Sequence, residues 1–266
     1  MDVQPEAVQA AEAYEAMFVP ALFAQWAPRV LDGVALSPGQ RVLDVACGTG
    51  VLAREAARRV GLSGAVSGLD PAPGMLAVAR RSAEVVDWRE GVAESLPYAD
   101  GQFDAVVSQF GLMFFADRVQ ALREMRRVLR PAGRLAVAVW SGLETMPALL
   151  REVAVVESLA GSAAADALRA PFCLADAGRL QALANSTGWL GISVQRLAGQ
   201  ACFPSIRFLV EADLRGWLPL MGVELDEGLI QRILDTAESS MRNWVEHDGT
   251  ARFEVSAFLL TASSPV

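Results

Sequence analysis

The 266-residue chain is long enough to bury a large core, and its 53% hydrophobic content excludes disorder as a description of the whole. A net charge of −8 supplies no basic footprint for phosphates, so no nucleic-acid partner is expected. No apolar run reaches the roughly eighteen residues of a membrane span, and Asp2 and Glu6 stand where a signal peptide would be basic, so the expectation is a cytoplasmic protein without a membrane partner.

Taken in chain order, residues 8–36 read as amphipathic helix. Tyr14, Phe18, Leu22 and Trp26 recur every four residues, and Pro20 is expected in the first turn of a second helix. Ser37-Pro38-Gly39 is a turn. Strands are then expected at 41–45, 65–70, 85–88, 103–108 and 134–140, with helices between them, the last over 116–130 and stopped by Pro131. Along that helix Arg123, Arg126, Arg127 and Arg130 recur beside Leu122, Met125 and Val128, the pattern of a solvated face. The second half brings helices at 146–161 and 176–189 and a weak strand at 192–203. A helical stretch over 205–245 follows, with Asp226 as a candidate N-cap, and then a closing strand at 252–260. Strands alternating with helices of ten to fifteen residues predict an α/β fold with a doubly wound, mostly parallel sheet.

The chemistry centres on Arg41-Val42-Leu43-Asp44-Val45-Ala46-Cys47-Gly48-Thr49-Gly50, a strand that enters a glycine turn and then a helix. Such a turn brings bare backbone and a helix N-terminus to a ligand. Gly48-x-Gly50-x-x-Ala53 also fits the dinucleotide pattern, and Asp70, twenty residues beyond Gly50, could accept from a ribose diol in either case or cap the following helix. Asp44 discriminates, because a carboxylate at this strand end repels a pyrophosphate and attracts a cationic amino acid moiety. An NAD-dependent oxidoreductase would also need catalytic apparatus, yet neither Tyr14 nor Tyr98 begins a Tyr-x-x-x-Lys pattern.

Five segments in order resemble the class I S-adenosylmethionine-dependent methyltransferases, especially the ubiquinone/menaquinone C-methyltransferase branch. They are Val42 to Gly50, Gly68 to Leu76, Gly91 to Pro97, Phe103 to Ser108 and Val128 to Arg134. The resemblance implies a seven-stranded Rossmann-like methyltransferase fold ending in an antiparallel strand, as one domain over 1–266. Its expected parts are an N-terminal helical lid (1–36), a cofactor-binding core (37–141), helices and a sixth strand (142–204), a helical cap insertion (205–249) and a closing strand (250–266). It further implies S-adenosylmethionine as methyl donor and S-adenosylhomocysteine as product. Ala46, Gly48 and Gly50 would line the methionine part, Asp44 its amino group, and Asp70 the ribose. Pro71 and Met75 would wall the adenosine, with Val92, Ala93 and Glu94 at the adenine edge and Gln109 on the methyl-transfer side. Relatives usually have Asp where Val92 stands, so either the Val92 backbone or neighbouring Glu94 would have to serve there.

Residues for acid–base work are few. Tyr14, Gln109 and His247 are the weak catalytic candidates, and His247 sits in Glu246-His247-Asp248-Gly249, an expected surface turn. One histidine precludes a His-rich metal site, and no cluster has ligand spacing, so no metal is expected. Cys47, Cys173 and Cys202 are expected as buried apolar thiols. Phe18, Trp26, Phe110, Met113, Phe114, Phe115, Phe208, Trp217, Leu220, Met221 and Trp244 suggest an apolar or aromatic small-molecule acceptor. The alternative is a ligand-binding protein of the same fold that transfers no methyl group.

Overall fold

Strand β1 (Arg41–Val45) is buried along nearly its whole length and lies in the middle of a seven-stranded sheet of order β3-β2-β1-β4-β5-β7-β6. The computed structural model describes residues 3–266, which leaves Asp2 outside the described residues. The other strands are β2 (Ala65–Asp70), β3 (Asp87–Glu90), β4 (Phe103–Gln109), β5 (Leu129–Trp140), β6 (Leu190–Phe203) and β7 (Ala251–Ser263). Parallel ladders join β1 to β2 and β4, β2 to β3, and β4 to β5. β7 runs against β5, since Ser141 N–H donates to Ser256 O while Ser264 N–H donates to Gly133 O, at the opposite ends of the two strands. β1 and β4 are near-continuous apolar runs, as strands covered on both faces require.

Between β1 and β4 the strand order reverses. That places a crevice beyond the carboxyl ends of these two strands, where ligands bind in open α/β sheets.

Helices α1 (Pro5–Phe18), α2 (Ala27–Gly33), α3 (Val51–Val60), α4 (Pro73–Ser82) and α5 (Arg118–Arg127) precede β5. α6 (Pro147–Ala160), α7 (Ser162–Arg169) and α8 (Ala177–Asn185) follow it, and α9 (Ile206–Ala212), α10 (Leu218–Leu220) and α11 (Glu227–Ser240) lie between β6 and β7. By packing, residues up to Val139, Asp176–Leu197 and Ala257–Val266 form one compact unit, and Trp140–Ala175 with Ala198–Ser256 form a second. In the first, α1 lies so close to α4 that a Cβ on Gly74 would collide with the Ala7 carbonyl. In the second, α11 packs on α6 and α9 through Ile230, Ile233, Leu234 and Ala237.

Several expected elements shift. The third strand is Asp87–Glu90, not 85–88, with Trp88 opposite Gly68. α5 stops at Arg127, because Pro131 excludes helical backbone at the residue before it and the chain is already extended at Leu129. Arg126 and Arg127 are consequently not simply solvated. Arg126 donates to Gly188 O (3.0 Å), and Arg127 reaches Leu96 O, Tyr98 O, Asp100 and Glu124. Pro20 falls inside a π-helical turn, Val19–Phe23, that joins α1 to the next turns. Cys47 is buried as expected, but Cys173 is exposed and Cys202 only half-buried. Asp226 does cap α11, its carboxylate accepting from Leu229 N–H at 2.9 Å, and Asp176 caps α8 in the same way through Arg179 N–H.

Candidate functional site

Asp44 occupies the end of β1 between Gly68 and Val107 of the neighbouring strands. It is 1% exposed, and neither carboxylate oxygen has a hydrogen-bond partner among the described residues. Burial pushes its pKa well above the ordinary carboxylate range, and the charge of Asp70 adds to the rise. The Ala53 amide opposes it without reaching hydrogen-bond geometry. A buried acid with both oxygens idle is costly unless a donor arrives.

Beyond Asp44 the backbone turns through left-handed conformations at Ala46 (φ 58°), Gly48 (φ 55°) and Gly50 (φ 91°). Gly50 is doubly required, since a Cβ there would also collide with the Trp88 ring. Asp70 fixes the loop. Its Oδ2 accepts from Gly48 N–H at 2.8 Å and its Oδ1 from Ala72 N–H at 2.9 Å, at the entry to α4. Both expected uses of Asp70 are thus compatible, as each oxygen keeps a lone pair. Desolvation raises its pKa while these two amides lower it.

At the end of β4, Gln109 Nε2 donates to Phe23 O at 3.1 Å, which leaves its Oε1 buried without a partner. Phe110 follows in a left-handed conformation (φ 57°) and packs on Phe23 and Trp26. Tyr14 stacks on Phe18 and Phe23. Tyr14, Asp44, Ala46, Cys47, Gly48, Thr49, Val51, Leu52 and Gln109 line one cavity. Burial, with the nearby Asp70 and Glu15 carboxylates, raises the Tyr14 phenol far above its usual value. It therefore stays protonated at neutral pH and can donate, but not act as a base.

Of the expected site residues, the cavity gathers Tyr14, Asp44, Ala46, Gly48 and Gln109, with Asp70 bonded to its loop. Gly50, Pro71, Met75, Val92, Ala93 and Glu94 are not among its lining. Val92 is 47% exposed, Ala93 is buried, and Glu94 Oε1 accepts from Asp117 N–H at 3.2 Å, at the start of α5. His247 is exposed in the turn before β7, within the second unit. Sequence reasoning missed Cys47, Thr49, Val51 and Leu52 as lining residues, although all four sit in or just after the glycine turn it had identified. It also missed Arg54, which ties the loop to α1 by donating to Thr49 O (2.7 Å) and Glu15 Oε1 (2.7 Å). No local signal marks that pairing.

Three idle acceptors (Asp44 Oδ1 and Oδ2, Gln109 Oε1) and a bare-backbone loop suit a ligand with a cationic, donor-rich end. Residues 43–137 match the family described as "Methyltransferase domain".

Asp44 to Gln109 lie inside the matched residues, whereas Tyr14 and His247 lie outside them. A 2-phytyl-1,4-naphtoquinone methyltransferase of Thermosynechococcus vestitus is 41% identical over 123 residues, 45% of this chain and 55% of that one. The chain spans about half the length of the curated relatives it matches. Among solved structures, a Haemonchus contortus phosphoethanolamine N-methyltransferase 2 in complex with S-adenosyl-L-methionine has TM-score 0.60 at 17% identity, covering 97% of this chain and 57% of that chain. The [4+2]-cyclase SpnF has TM-score 0.55 at 22% identity, over 99% of this chain and 98% of its own. These likenesses establish the methyltransferase fold.

Proposed function

We propose that the protein transfers a methyl group from S-adenosylmethionine to a small apolar or aromatic organic acceptor. The observation that carries this reading is the idle Asp44 carboxylate beside Gln109 Oε1, for which the ammonium of the methionine moiety supplies the missing donors. Ala46, Gly48 and Gly50 would then offer backbone to the methionine chain and Asp70 its spare lone pairs to the ribose. Pro71 and Met75 would flank the adenosine, with Val92, Ala93 and Glu94 at the adenine edge.

S-adenosylmethionine supplies, when bound, an electrophilic methyl group on a sulfonium. The chain's own part is to hold the cationic end, exclude water and bring a nucleophile in line. Tyr14, Phe23 and Phe110 form the aromatic surroundings of that end of the site. The likeness to a naphtoquinone methyltransferase favours a quinone-derived ring as the acceptor.

Calorimetry with S-adenosylmethionine, S-adenosylhomocysteine and NAD, followed by methyl transfer to a panel of hydroquinones, phenols and amines, tests the reading. Binding of the first two but not NAD, with product on an aromatic acceptor, is expected; tight binding of NAD alone would sink it. The fold's occurrence in a [4+2]-cyclase supports a second reading, a ligand-binding or non-methylating protein. Binding without methylated product across the whole panel would favour that one.

A further inference from the structure

A tryptophan from β3, two strands away from β1, packs against the glycine turn. Trp88 is buried, although its neighbours Asp87, Arg89 and Glu90 are exposed. Its route is opened by a missing side chain. Trp88 stands in register with Gly68 of β2, and Gly68 with Asp44 of β1. Residues paired in this way point to one face of the sheet, so the row has a gap in its middle. The indole fills that gap. A Cβ on Gly68 would overlap the ring at Cζ3 and Cε3, and one on Gly50 would overlap it at Cη2. Cys47 Sγ borders the same space, 3.1 Å from the Cβ position at Gly68. The indole N–H donates to Ala83 O at 2.9 Å, just past α4, which fixes the ring's orientation. One ring thus touches β2 and the turn after β1 at once.

We propose that Trp88 is a positioning residue for the methyl donor, a role that rests on this site taking S-adenosylmethionine. Through the gap at Gly68 its ring bears on Gly50 and holds the glycine turn in the shape that receives the methionine chain.

The turn needs such support. Ala46 is left-handed without being a glycine, a conformation that persists only where the surroundings over-determine it. Asp70 holds the Gly48 amide and Arg54 the Thr49 carbonyl. Gly50 has no side chain to hold, and its backbone leaves the left-handed region at little cost. The Trp88 ring occupies the space beside its Cα, so a displaced ring displaces the turn.

Gly68→Ala tests this from a distance, because it alters neither the turn nor the indole but drives a methyl group into the ring. Hydrogen exchange in the ligand-free protein is the first readout. The amides of Cys47, Gly48 and Gly50 donate to Leu69 O, Asp70 Oδ2 and Cys47 O. In Gly68→Ala their exchange should quicken by about tenfold or more, while that of β1 and β4 stays unchanged. Equal quickening across β1 and β4 marks a general loss of stability and overturns the proposal, as does unchanged exchange in the turn. Calorimetry with S-adenosylhomocysteine is the second readout. Its Kd should rise about tenfold or more in Gly68→Ala and largely recover in Gly68→Ala/Trp88→Phe, whose smaller ring makes room for the methyl group. An unchanged Kd in the single variant, or no recovery in the double one, overturns the role. Should Gly68→Ala fail to fold, Trp88→Phe alone leaves the gap partly empty and must quicken exchange in the turn but not in β1 or β4; unchanged exchange overturns the proposal. Failure of the unaltered protein to bind S-adenosylhomocysteine would count against the donor itself, and the exchange measurement would then decide alone whether Trp88 holds the turn.

Discussion

Asp44 concentrates the site's electrostatics in one side chain. Replacing it with Asn keeps the shape but removes the charge, so the affinity for S-adenosylmethionine should drop on the order of a hundredfold, as when one partner of a buried charge pair is truncated. Titration calorimetry measures it, and an unchanged affinity would remove Asp44 from the cationic end. Gly50 makes a different demand, one of backbone and space. Gly50→Ala sets a Cβ against the Trp88 ring at a left-handed φ, and about 2–4 kcal/mol of stability should be lost, read as a lower denaturant midpoint. At Glu94 the carboxylate is engaged with the Asp117 amide, so Glu94→Ala is expected to loosen the start of α5 in thermal melts.

At the scale of elements, α1 carries Tyr14 over the cavity and is held by close packing on α4 and by the Glu15–Arg54 bridge. Gly74→Leu should push α1 outward and expose it to limited proteolysis before the rest of the domain. A cleavage pattern identical to that of the unaltered protein would contradict that coupling. Here the limits of sequence reading have a physical cause. Asp44, the glycine turn, Asp70 and the cap at Asp226 were legible because each acts on backbone it adjoins or belongs to a spaced motif. The Gln109–Phe23 bond spans 86 residues, and nothing near either residue announces it. The π-helical turns at Val19–Phe23 and Asp213–Trp217 insert a residue into otherwise periodic helices, so a periodic reading runs straight through them.

Over the whole molecule, four buried or half-buried acids (Asp44, Asp70, Glu152 and Asp213) have pKa values raised in the folded state, desolvation being the largest cause in each. The sign is fixed by linkage. Above about pH 4 the unfolded chain has released protons that the folded one still holds, so stability falls as pH climbs toward the raised values. Thermal unfolding should therefore show greater stability at about pH 5.5 than at about pH 8, by a few kcal/mol in order of magnitude. A rise over that interval would contradict the burial of these groups. The alternation of strands and helices, and with it the doubly wound class of the sheet, was readable from the sequence. The division into two units was not, since it depends on which distant helices share a core.

The idle carboxyl at the end of β1 has one more consequence. Burial raises the Asp44 pKa, and a cation seated against the carboxylate lowers it again, so loading the site draws protons off Asp44 wherever it is not already ionised. Binding would then acidify the medium, its heat would track the ionisation enthalpy of the buffer, and the apparent affinity would climb with pH until Asp44 ionises unaided.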